Sequence, residues 1–124
     1  PSFSLPCIAA IAASDTVIVP IKPGAFEMAG MRLLADQIAS VQGTGLAKRS
    51  VRGLLTIWHN ADATRQSEDW LREHSPIPLF TQKIRRTDKV TESTYAAQPV
   101  TRWSPTSAAA RDYRAWVEEI MEGL

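Results

Sequence analysis

The chain has 124 residues, 44% of them hydrophobic and 22% charged, with a formal charge of +1 at pH 7. That length holds one compact domain around a single core, and the composition excludes a disordered tail. So small a net charge also excludes nucleic-acid binding through bulk positive charge, leaving the local placement of basic residues as the signal. The single cysteine, Cys7, excludes an intrachain disulfide and a cysteine-rich metal site. Set among Ile8, Ala9 and Ala10, it reads as a small buried hydrophobe. Ser14 and Asp15 interrupt the most apolar stretch, so no transmembrane helix is expected, and the first residues lack the basic start of a secretory signal. These features suit a cytoplasmic protein.

Phe3 to Ala13 reads as a short Ala-rich helix that tolerates Pro6 only in its first turn. Thr16 to Ile21 is almost continuously apolar and β-branched, the pattern of a parallel strand covered on both faces. From Ala25 to Gln42, Phe26, Gly30, Leu33, Leu34, Ile38 and Val41 follow a 3.6-residue period, and Gly43 and Gly45 end that helix. Val51 to Trp58 is the second expected strand. Asp62 to His74 is a more polar helix, with Trp70 and Leu71 turned inward and Pro76 closing it. Leu79 to Ile84 is the third strand. Arg85 to Arg102 reads as a long loop holding one short helix. In the last helix, Ser104 is the expected N-cap and Pro105 the first helical residue. Tyr113, Trp116, Val117, Ile120 and Met121 form its apolar stripe.

This alternation predicts an α/β fold, a three-stranded parallel sheet flanked by helices, in one domain over residues 1–124. A small sheet preceded by a helix at residue 3 reads as the middle of a larger fold. An apolar strand edge left unpaired is expected to drive dimerisation or exchange of elements.

The opening Pro1-Ser2-Phe3-Ser4-Leu5, the Ala-rich helix and Ala13-Ser14-Asp15-Thr16-Val17-Ile18-Val19-Pro20-Ile21 resemble the middle of ParA and Soj partition ATPases. There an Asp-x-Pro-Pro-Ser motif ends a strand, and an Ala-rich helix and Ala-Asp-x-Val-Ile-x-Pro follow. The resemblance continues through Phe26 to Gly30, Gly53-Leu54-Leu55-Thr56 and Gln98-Pro99-Val100, and closes with Ser104-Pro105-x-Ser107 and Ala110-x-x-Tyr113. It implies the C-terminal half of a P-loop NTPase fold of the deviant Walker type. The parent would be a nucleoid-associated homodimer using ATP and Mg, binding DNA without sequence preference and a centromere-binding partner protein.

Departures from that family shape the functional expectation. Its phosphate loop, of Lys-Gly-Gly-x-Gly-Lys-Thr type, does not occur in the sequence, and its magnesium-linked aspartate would lie before Pro1. Gly43-Thr44-Gly45-Leu46-Ala47-Lys48-Arg49-Ser50 is a decoy, because Lys48 does not follow a glycine. It also runs from helix to strand, whereas a phosphate loop runs from strand to helix. Without amide cradle, lysine and metal ligand, the chain alone is expected to bind no cofactor and to be inactive.

The resemblance implies that Ile84, Arg85 and Arg86 border the adenine base. Arg86 matches the family arginine, Arg85 stands where the family has proline and Thr87 where it has asparagine. After the second strand, His59 or Asn60 facing a base is one reading, and a solvated loop with Trp58 packed inward is the other. Lys83, Arg85, Arg86 and Lys89 are the densest basic cluster, read either as DNA-phosphate contacts or as a solvated face. Lys48, Arg49 and Arg52 read as a solvated face. Arg111 and Arg114 are expected to pair with Asp112, Glu118 and neighbouring acids. A MinD-like membrane helix is disfavoured by Glu118, Glu119 and Glu122, which anionic lipid would repel. The alternative to a partition-ATPase fragment is a stand-alone, non-catalytic protein-binding module derived from the same fold.

Overall fold

The computed structural model describes residues 4–24, 28–41 and 50–123. Pro1 to Phe3, Phe26 and all of the Gly43-to-Ser50 decoy but Ser50, its Lys48 and Arg49 included, lie outside the described residues. The elements run α1 (Leu5–Ala13), β1 (Thr16–Ile21), α2 (Met28–Val41), β2 (Ser50–Leu55), α3 (Asp62–His74), α4 (Asp88–Tyr95), α5 (Val100–Trp103) and α6 (Ala108–Glu122). The α/β alternation is as expected.

β1 and β2 pair in parallel from Thr16 opposite Ser50 to Ile21 opposite Leu55. Because side chains alternate along a strand, Val17, Val19, Ile21, Val51 and Leu55 share one face. That face carries α1, α2 and α3: Ile21 and Leu55 pack with Met31 and Leu71, and Val17, Val19 and Val51 pack with Ile11, Ile38 and Val41. On the opposite face Leu54 joins Phe80, Ile84 and Ala109, with Tyr113, Trp116 and Ile120 of α6 against them. Each side chain fully buried this way contributes about 1.5–3 kcal/mol. Phe80 and Trp116 meet edge to face at 5.6 Å.

The expected cover on both faces of β1 is not found. Ile18 is 38% exposed and Leu33, on α2, 59%. Among the described residues α6 packs over β2 and not over Ile18, and an apolar groove of about 570 Å³ runs along the edge of β1 beside α1 and α2, past Val17, Ile18, Pro20, Leu33 and Leu34. Trp70 is also turned outward rather than inward, stacked on His74 at 5.2 Å, and Val117 and Met121 of the expected α6 stripe are exposed. The α6 cap differs too. Ser107, not Ser104, accepts the Ala110 N–H, and the Ser104 carbonyl accepts from the Ser107 hydroxyl at 2.8 Å. The segment read as a loop with one helix holds both α4 and α5.

The main correction concerns the third strand: among the described residues the sheet has two strands. β2 also ends at Leu55 instead of Trp58, since Ile57 takes a left-handed φ of 53°. The segment from Pro78 to Arg86 still runs beside β2, with isolated parallel bridges Gly53–Leu79 and Trp58–Arg85. Its offset from β2 grows by one residue between them, as across a bulge. The cause is competition for its backbone groups. Arg72 donates to the Phe80 and Thr81 carbonyls at 3.0 Å each, and the Glu119 carboxylate accepts the Thr81 and Gln82 N–H groups at 2.6 and 3.2 Å. Groups satisfied by side chains are no longer offered to the ladder.

Gly53 lets this segment approach. A Cβ there would sit 2.5 Å from a Leu79 methyl and 2.9 Å from one of Ile21. Gly53→Ala is therefore expected to lower stability by about 1–3 kcal/mol, read from a shift in the urea midpoint at constant slope.

Candidate functional site at the carboxyl end of the strands

The turn Pro23-Gly24 follows β1 and is drawn to α3 by the Gly24 N–H, which donates to Ser67 Oγ at 2.9 Å. Gly24 has a φ of 85°, a conformation that glycine adopts without a Cβ penalty. This turn, the Thr56-to-Ala61 loop and the end of the bulged segment meet at the carboxyl edge of the sheet, where open α/β folds bind ligands. Two clefts open there. One, of about 210 Å³, is bounded by Thr56, Ile57, Ile84, Arg86, Thr87 and Tyr113. The other, of about 350 Å³, is lined by Lys22, Ile57, His59 and Arg86. Ile57 and Arg86 are shared. The left-handed backbone at Ile57 is costly for a β-branched residue, and such strain tends to collect at functional positions.

Of the residues read as bordering a base, Ile84, Arg85 and Arg86 line the first cleft and Asn60 lines neither. Ile84 is buried and fixed through its backbone, donating to Leu55 O at 2.8 Å and accepting from Trp58 N at 3.0 Å. Asn60 is exposed and bonds Arg65, which also holds Asp62. Arg85 is committed to Asp112: its Nε, Nη2 and backbone N–H each reach that carboxylate at 2.9 Å. The hydrogen bonds that Arg85 donates to the Asp112 carboxylate raise its pKa above the ordinary value, against the smaller effect of burial.

The basic cluster does not form one free face. Lys83 lies 3.9 Å over the Trp58 ring and 2.8 Å from Glu68, so it is held inward. Arg86 and Lys89 are exposed, within 3.3 and 3.2 Å of Asp88 and Glu92. Of the second cluster, Arg52 lies 4.0 Å over the Phe80 ring and 3.8 Å from Glu119. Arg114 donates to the Pro105 and Thr101 carbonyls rather than to an acid.

Sequence reasoning missed Glu68, Asp112, Tyr113 as a cleft wall, and Lys22. Asp112 was read as a surface partner for its helix neighbours. Its signal is position: it lies three residues after Ala109 and four before Trp116, in register with the buried stripe of α6. Glu68 likewise falls three residues before buried Leu71. Among the described residues, no group of acids, histidines and cysteine could hold a metal, and no helix is long and apolar enough to cross a membrane.

No protein-family model matches the chain. Two uncharacterized proteins of Mycobacterium tuberculosis, from strains CDC 1551 and H37Rv, are each 30% identical to it over 124 residues. Those alignments cover 98% of this chain and 39% of each relative. The chromosome-partitioning ATPase Soj of Thermus thermophilus is 26% identical over 123 residues, 98% of this chain and 49% of Soj. The chain thus spans less than half the length of the curated relatives it matches.

Two consequences of the geometry are measurable. Asp112→Ala leaves the Arg85 backbone N–H and guanidinium without their acceptor, and should cost about 2–3 kcal/mol in chemical denaturation, the lower end for a buried pair because Arg85 is partly exposed. Glu68 gives a pH signature. Burial works against its charge, but hydrogen bonds from Lys83 and Arg72 outweigh burial and hold the carboxyl below its ordinary value of 4.5. A depressed carboxylate stabilises the fold fully above the unfolded pKa and loses that contribution as pH falls through the folded one. Glu68→Gln should therefore be less stable than wild type at pH 7 and show a shallower loss below about pH 4.3 in thermal melts.

Proposed function

We propose that this chain is part of a ParA-like ATPase acting in DNA partitioning, and that it carries the base-binding side of the nucleotide site without a phosphate loop. The observation that carries this reading is the similarity to Soj along 98% of the chain. The cleft at the carboxyl end of the parallel strands supports it, walled by the segments that the family resemblance assigns to the adenine base. In the intact parent, ATP and Mg are the cofactors, and the partners are a second copy, DNA bound through phosphates and a centromere-binding protein. Of the cluster Lys83, Arg85, Arg86 and Lys89, exposed Arg86 and Lys89 are the side chains freer to turn toward DNA, because surface pairs with Asp88 and Glu92 are weak. Alone, the chain lacks the groups that neutralise a transferring phosphoryl and is not catalytic.

The apolar groove beside β1 favours one second reading, a non-catalytic module that docks a protein segment there.

Nucleotide titrations test the first. With this chain alone, isothermal calorimetry should detect no magnesium-ATP binding at micromolar concentration. Millimolar adenosine should shift the backbone amide signals of Thr56 and Tyr113 in two-dimensional NMR. Tight, magnesium-dependent ATP binding, or adenosine that leaves those amides unmoved, would contradict it.

A further inference from the structure

The second cleft has a composition that the base-binding reading does not use. Lys22, His59 and Arg86 come from three separate segments: the turn after β1, the loop after β2 and the end of the bulged segment. Their convergence on one opening is tertiary, not a run of basic sequence. All three are exposed, and among the described residues no acid lines the cleft. Lys22 has no ion pair among the described residues. His59 approaches Thr64 Oγ1 through Nε2 at 3.4 Å, a weak contact that an anion can replace. Arg86 pairs with Asp88 at 3.3 Å, with the two side chains 60% and 84% exposed, so the pair exchanges easily for another anion.

Resting on the nucleotide reading above, we infer that the Lys22–His59–Arg86 cleft is a phosphate-binding subsite that receives the anionic end of a nucleotide whose base occupies the neighbouring cleft. Two observations tie the clefts into one elongated site. Arg86 and Ile57 wall both, and the strained Ile57 backbone shapes the boundary between them. Lys22 supplies a compact ammonium charge, Arg86 a planar fork suited to two phosphate oxygens, and His59 a ring N–H donor. Such a site of exposed side chains, lacking an enclosing ring of backbone amides, holds phosphate weakly, on the order of 1 mM. It orients the anion and does not activate it.

The test is a set of NMR titrations of the 124-residue chain with inorganic phosphate, adenosine, ATP and a short DNA duplex, each followed at the same amides. Phosphate and ATP at about 10 mM should both shift Lys22, Ile57, His59 and Arg86 with saturable curves. Lys22→Gln should weaken phosphate binding about threefold, whereas Arg111→Gln, on the exposed side of α6, should leave it unchanged. Lys22 is exposed, so the variant should retain the wild-type spectrum away from the cleft. The inference falls if phosphate and ATP leave these amides unmoved, if all basic residues respond alike, or if Lys22→Gln changes nothing. Shifts with the duplex but not with ATP would also overturn it, because the phosphate would then belong to nucleic acid. Adenosine separates this inference from the reading beneath it. Binding at Thr56 and Tyr113 without a phosphate response sinks the subsite alone, and a phosphate response without adenosine binding sinks the base cleft.

Discussion

Three side chains hold the segment between Phe80 and Arg86, and everything at the carboxyl edge of the sheet depends on that grip. Arg72 of α3 takes its carbonyls, Glu119 of α6 takes two of its amides and Asp112 of α6 takes a third together with the Arg85 guanidinium. In a regular strand alternate residues turn their backbone groups toward β2, so the Phe80 carbonyl and the Gln82 N–H would have joined that ladder. Instead the segment leaves β2 after Phe80 and returns at Ile84, one residue out of step. Its return brings Arg86 and Thr87 opposite Thr56 and Ile57, where the two clefts open. Removing a buried acceptor in such a network is costly because the donors it leaves cannot reach water freely.

The same grip decides the fate of the basic residues. Four cations within seven positions look like a nucleic-acid patch, yet two of them are structural. Lys83 is captured between Glu68 and the Trp58 ring, and Arg85 is fixed by Asp112. Arg86 and Lys89 are the more exposed of the four, each beside an exposed acid. A lysine far away in sequence, Lys22, joins Arg86 instead. The chemically available charge at the sheet edge is therefore set by which buried acids claim which cations.

Local pattern revealed much of the framework. β1 was legible to the residue, because five of its six positions are apolar or β-branched and turn-forming residues flank it. α3 was bounded correctly, as was the end of α1. The third strand was not legible, since its interruption comes from residues 72, 112 and 119, on helices whose placement no local window contains. Apolar content marked Ile18, Leu33, Val117 and Met121 as core, but it says only that a residue gains from cover, not that cover exists. At the site, Ile84, Arg85 and Arg86 were reached through family resemblance, whereas Lys22 and Tyr113 enter through tertiary approach alone. Asn60 was placed by proximity to a strand end, and its bond to Arg65 turns it to other work.

The proposed reading makes this parallel α/β unit, with its two adjoining clefts at the sheet edge, one part of a nucleotide site. A crystal structure of this chain soaked with an adenosine nucleotide examines that claim most directly. The account predicts the base between Ile57 and Tyr113, with the phosphates leaving toward Lys22 and His59 and otherwise open to solvent. A base bound elsewhere, or phosphates enclosed by backbone amides of this chain, would contradict it.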